Sequence, residues 1–174
     1  SFDTSSVEDM YDMFQGCSKL TSIDLSSFDT SKVTNMESMF GGCTRLTSLD
    51  LSSFNTSKVG TMSDMFYYCT SLTSLDLSSF NMSNVYSMTG MFYSCSKLTS
   101  VDISNFDTSN VTKMWKMFFG CSNLTTIKGI IDMKSCEDYE DIFYNCPKLT
   151  GVKIKNPPKD FEFLSGLSKS QYTV

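Results

Sequence analysis

A cysteine returns at a fixed interval: Cys17, Cys43, Cys69, Cys95 and Cys121 stand 26 residues apart, and Cys146 follows after 25. A period of this size is the signature of stacked units, none of which can bury its apolar face alone. The chain must therefore place one short unit on the next, column upon column.

The columns after each cysteine are apolar and well kept. Three residues on stand Leu20, Leu46, Leu72, Leu98, Leu124 and Leu149; six on, Ile23, Leu49, Leu75, Val101, Ile127 and Val152; eight on, Leu25, Leu51, Leu77 and Ile103, then Gly129, then Ile154. The last two columns alternate with polar residues, so Leu49 and Leu51 face one side of a short strand and Ser48, Asp50 and Ser52 the other. Each unit is expected to add one strand to a parallel sheet.

Before the cysteine the period changes. Val33, Met36 and Phe40 follow a helical stripe, repeated at Val59, Met62, Phe66 and at Val85, Met88, Phe92. Asp29-Thr30-Ser31 can cap a helix start, and Gly41-Gly42 can end it. Strand, turn, short helix and return make a leucine-rich repeat. A helix is ~10 Å across and strands lie ~4.8 Å apart, so the helical side must splay. The expected fold class is an α/β solenoid: a right-handed horseshoe of six repeats, with a parallel concave sheet and short convex helices.

Residues 1–156 carry the periodicity, which Pro157-Pro158 ends. The remainder, 157–174, is read as a C-terminal cap or the start of a linker. Phe2 already occupies the column of Phe28, Phe54, Phe80 and Phe106, so the chain is read as a fragment beginning inside a repeat. The fifth unit departs at Gly129 and loses one residue before Ile131, which predicts a local bend.

The net charge of −5 excludes a broadly basic nucleic-acid binder. Residues 1–106 hold eleven acids against five bases, and 107–174 eight against nine, so the acidity belongs to the regular units. No apolar run approaches the ~20 residues of a membrane span. Six of the seven cysteines share one column, and Cys136 takes the place of Val33 and Val59. Stacking holds the column's side chains further apart than the ~3.8 Å a disulfide prefers, so free, buried thiols are expected. Without histidine or a close Cys-x-x-Cys pair no metal site is expected, and no cofactor. Nor is there a Gly-x-Ser-x-Gly elbow or a phosphate-cradling glycine loop, so the chain is not read as an enzyme.

Two sets of residues are candidates for binding. On the concave face Asp24, Asp50, Asp76 and Asp102 form an acidic ladder, continued with opposite sign by Lys128 and Lys153. Carboxylates ~5 Å apart repel by ~0.8 kcal/mol in water, a cost relieved by hydroxyls, water, cations or a basic partner. On the flank of the helices, Tyr67, Tyr68, Tyr93, Trp115, Phe119 and Tyr144 are placed to form an exposed aromatic ridge.

The units MFGGCTRLTSLDLSSFNTSKV and MFYSCSKLTSVDISNFDTSNVTKM resemble the repeats of BspA-like leucine-rich-repeat surface proteins. The resemblance covers roughly residues 2–154 and departs from the pattern at Gly129. It implies a secreted or wall-attached bacterial protein at the cell surface, associated with adhesion to host or microbial molecules. The partner expected from it is a protein or glycan; no nucleic acid and no membrane insertion are expected. A structural spacer without a ligand, and a carbohydrate-binding module using the same aromatics, are the alternatives.

Overall fold

The computed structural model of the chain describes residues 3–174; the expectation for Phe2 lies outside them. The 26-residue period of the sequence is the period of the stack. Down its centre Phe14, Phe40, Phe66, Phe92, Phe118 and Phe143 lie ring on ring, with centroids 5.2–5.9 Å apart. Columns of Met36, Met62, Met88 and Met114 and of Leu46, Leu72, Leu98 and Leu124 surround them, all fully buried.

Among the described residues the expected convex helices are absent. The segment before each cysteine is a run of turns in which alternate N–H groups have different partners. In the second unit Met39, Gly41 and Cys43 donate to the carbonyls of Met36, Ser38 and Phe40, closing three turns. Met36, Ser38, Phe40 and Gly42 donate instead to Thr61, Ser63, Met65 and Tyr67 of the next unit, at 2.7–3.1 Å. Parallel bridges run the length of this wall, from Asp9–Asn35 to Lys113–Asp138. The physical reason is spacing: rings 5.2–5.9 Å apart leave no room for a helix ~10 Å across. The stripe is also only two helical turns long and rich in Ser, Asn and Gly, too little to nucleate a helix. The horseshoe argument from helix width therefore loses its premise.

The strand wall is also less regular than expected. Parallel pairing joins β1 (Ser100–Asp102) to β2 (Thr126–Lys128), and β3 (Ile131–Asp132) to β4 (Val152–Lys155) to β5 (Tyr172–Thr173). Stretches 22–25, 48–51 and 74–77 take no strand pairing. There side chains bridge the units, with Ser53 and Ser79 hydroxyls donating to the Leu25 and Leu51 carbonyls at 3.1 and 2.9 Å. The difference follows the charge ladder. Aspartate faces aspartate in the early units, which disfavours close pairing, whereas Asp102 is paired in register with Lys128, its carboxylate 3.7 Å from the ammonium. Gly129 bends the chain at φ 104°, so close to Ile103 that a methyl group would lie 2.8 Å from its carbonyl.

A third seam is built by threonine. Thr30 Oγ1 donates to the Asn55 carbonyl at 3.0 Å and accepts from the Asn55 N–H at 2.8 Å. Thr4, Thr56 and Thr108 make the same double contact with Asp29, Asn81 and Asp132. The column is interrupted by buried Met82.

The marker thiols behave as capping donors. Cys43, Cys69, Cys95, Cys121 and Cys146 point at the Phe14, Phe40, Phe66, Phe92 and Phe118 carbonyls of the preceding unit, 3.0–3.3 Å away. They are free and buried, and so is Cys136. Cys17 is free but exposed, a correction to the expectation for this column: no earlier unit covers it among the described residues.

After the last unit, α1 (Phe161–Leu164) and β5 pack against the stack's C-terminal end. Phe161 and Leu167 are buried, and Ser165 O accepts from the Phe143 N–H at 2.8 Å. The Tyr139 hydroxyl donates to Asp160. Asp132 is held by Lys155 at 2.9 Å and by the Asn156 amide at 2.8 Å. No helix among the described residues is long and apolar enough to cross a membrane.

Candidate functional site

The acidic ladder is exposed, but each carboxylate is already engaged. Asp24, Asp50, Asp76 and Asp102 accept the N–H of Ser26, Ser52, Ser78 and Ser104 at 2.9–3.0 Å, closing an Asx turn in every unit. The serine hydroxyl and N–H hold Asp24, Asp50 and Asp102 below the usual carboxylate range; at Asp76 the N–H leads. Neighbouring aspartates oppose the shift at Asp50 and Asp76, while Lys128 reinforces it at Asp102. A shallow cavity of about 270 Å³ lies beside Leu75, Asp76 and Asp102. Asx turns also recur beside the threonine seam, as Asp29–Ser31, Asn55–Ser57, Asn81–Ser83 and Asp107–Ser109. Asn substitutes for Asp there without change of geometry, so the turn needs an oxygen rather than a charge. Among the described residues no group of acids and thiols is arranged to hold a metal ion.

The six aromatics fall on the turn wall, the position that column spacing implied, though not on helices. Tyr67 and Tyr68 meet edge to face at 5.5 Å, Tyr68 and Tyr93 are tilted at 5.4 Å, and Tyr93, Phe119 and Tyr144 stack at 4.9 and 5.2 Å. Trp115 joins them through Lys116, whose Nζ lies 4.3 Å from the Trp115 ring and 5.2 Å from that of Phe119. Tyr68, Trp115 and Tyr144 are exposed, while Tyr67, Tyr93 and Phe119 are half-buried by their neighbours. Stacking between units thus uses part of each ring and leaves the rest in solvent.

Only some of these rings share a concavity. A depression of about 410 Å³ is lined by Tyr67, Tyr68, Tyr93 and Trp115 together with Gln15, Ser38, Asp64 and Lys116. Phe119 and Tyr144 lie beyond it. Two glycines make room. A side chain at Gly41 would collide with the Tyr67 ring, and one at Gly90 with the Asp64 carboxylate. Asp64 accepts no side-chain hydrogen bond among the described residues, and burial, followed by the charge of Glu37, raises its pKa.

The backbone beneath the depression is strained. Ser38, Asp64, Tyr68 and Lys116 all have φ between 54° and 55°. Tyr68 occupies a column filled elsewhere by Gly16, Gly42, Gly120 and Asn145, residues a left-handed turn position favours, and by Ser94. A tyrosine there is a true outlier, of the kind that costs of order 1 kcal/mol or more. Gln15, Ser38 and Asp64 escape a sequence search for aromatic columns. Departure from a column's habit singles out Tyr68, which replaces glycine, and Lys116, which stands where Asp12, Asp64 and Asp141 do.

The model of a family described as "Mycoplasma protein of unknown function, DUF285" matches residues 1–99 and 45–156. No curated protein matches the chain. Among solved structures, a leucine-rich repeat protein of T. pallidum superposes with a TM-score of 0.55 at 20% identity, over 86% of this chain and 62% of that one. A leucine rich cell surface protein of Faecalibacterium prausnitzii A2-165 gives 0.44 at 19% identity, over 71% of this chain and 37% of that one. A leucine-rich repeat protein of Bacteroides ovatus ATCC 8483 gives 0.35 at 19%, over 94% and 63%. The chain thus spans less than two thirds of each, and the first likeness establishes a leucine-rich-repeat fold.

Proposed function

This chain belongs to the family described as "Mycoplasma protein of unknown function, DUF285", and we propose that it is a non-catalytic binding module displayed at a cell surface, recognising macromolecules through its turn wall. The observation that carries the reading is the aromatic depression, where Tyr68 is kept in a left-handed conformation that glycine would adopt without strain. A purely structural column has no use for that cost, whereas a contact surface does. Exposed aromatics of this density belong to the residue types that dominate recognition surfaces. The resemblance of the repeats to BspA-like surface proteins supports the location and an adhesive role.

In this reading residues 1–156 are six stacked leucine-rich units of a right-handed solenoid, whose serine-and-aspartate wall is a solvated face closed by Asx turns. Residues 157–174 cap the stack, burying Phe161 and Leu167 over its last unit. Partners are proteins or glycans on host or microbial surfaces.

The test is an array of host glycoproteins, matrix proteins and glycans, probed with the chain and with a variant carrying Ser at Tyr67, Tyr93, Trp115 and Phe119. A saturable partner lost in the folded variant is the expected result. Binding that survives moves the site to the aspartate wall; silence across the array makes the chain a spacer.

A further inference from the structure

Building on the aromatic depression as the contact surface, we propose that its ligand is a neutral glycan, with one hexopyranose seated between Tyr68, Tyr93 and Trp115. The lining decides the class. Three tyrosines and a tryptophan line the depression, and the negative quadrupole of an aromatic face attracts the polarised C–H bonds of a sugar's apolar side. Around them stand acceptors and donors of every kind a hydroxyl can use: the Asp64 carboxylate, the Gln15 amide, the Ser38 hydroxyl and the Lys116 ammonium.

Other ligands fit less well. A cationic side chain would meet Lys116 Nζ, already 4.3 Å from the Trp115 ring. An anion would meet Asp64, which has no counter-charge within salt-bridge distance among the described residues. A peptide's apolar anchor would leave the polar groups that line the depression, Gln15, Ser38, Asp64 and Lys116, without partners. A neutral polyhydroxylated ring satisfies both charges without carrying one. It also gives the Asp64 carboxylate the donors it lacks, through charge-assisted hydrogen bonds. At about 410 Å³ the depression is within the range of small-ligand sites.

Trp115 is the single tryptophan, so its fluorescence reports directly on the site. Cellotetraose, mannotetraose and chitotetraose are titrated into the chain, with calorimetry alongside. The proposal expects a saturable response to at least one of them, weakened about tenfold or more by Asp64→Asn and by Tyr68→Gly. Tyr68→Gly also relieves the left-handed strain, so it should unfold at the same temperature as the parent or higher while binding less. No response to any of the three sugars, or a Tyr68→Gly variant that binds like the parent, overturns the proposal. Enzymatic deglycosylation of the array partners separates this inference from the broader one. Loss of binding supports the sugar; retained binding that still needs Tyr67 and Tyr93 overturns the sugar and leaves the contact surface; an array silent before deglycosylation removes both.

Discussion

Thr56→Val tests the seam that joins units independently of the core. The Thr56 side chain is fully buried, donates to the Asn81 carbonyl at 3.0 Å and accepts from the Asn81 N–H at 2.7 Å. Valine keeps the shape and removes both bonds. At about 1 kcal/mol net for each, the loss is about 2 kcal/mol, and more if the Asn81 groups cannot reach water. For a chain of this size that lowers the melting temperature by about 4–8 °C. The molecule contains its own control. At the next position of the column Met82 replaces threonine, and the Asp107 N–H has no hydroxyl to bond. Native-state hydrogen exchange should therefore find the Asn55, Asn81 and Asp132 amides protected and Asp107 exchanging faster, with Thr56→Val bringing Asn81 to the Asp107 rate. Thr56→Ser, which keeps both bonds, should leave Asn81 protected. If Thr56→Val melts like the parent and Asn81 stays protected, the seam contributes nothing to stacking.

The remaining expectations concern charge, thiols and strain. Asp24, Asp50, Asp76 and Asp102 have folded pKa values below their ordinary 3.8, so the stability they add is complete above that value and is lost as pH falls through the lowered ones. Asp64 has the opposite sign: its raised value penalises the folded state at neutral pH, and that penalty fades on acidification. Melting temperature should thus fall below about pH 4, and Asn at all four ladder positions should flatten that fall while preserving the turns; an unchanged slope would refute the assignment. Burial pushes Cys43 to about 11 and Cys69 and Cys146 to about 12, so iodoacetamide at mildly alkaline pH should label the native chain first at exposed Cys17, as peptide mapping would show. Gly129→Ala adds a methyl 2.8 Å from the Ile103 carbonyl at a φ of 104° and should cost about 3 kcal/mol in denaturant unfolding.

Much of the fold was legible because stacking turns sequence columns into spatial ones. Phe40, Phe66 and Phe92 lie ring on ring because they are 26 residues apart, and buried Cys69 and Leu72 follow from the same register. The aromatic flank was legible for the same reason. The helix was misread because Val33, Met36 and Phe40 at i, i+3 and i+7 fit two helical turns as well as a chain of β-turns. Periodicity reports which side chains point inward and not how the backbone between them bonds. Asp29-Thr30-Ser31 and Gly41-Gly42, which suit a helix cap and stop, are turn residues here.

The sequence by itself determined the repeat, its length, the inward columns and the side of the molecule on which the rings emerge, because each depends only on register. Tertiary structure decided the rest. The spacing between units chose turns over helices, since backbone groups that could have closed a helix reached the neighbouring unit instead. The same spacing brought Gln15, Ser38, Asp64 and Lys116 from four different units around Tyr68. No local pattern specifies that meeting, because it depends on how closely one turn of the chain lies upon the next.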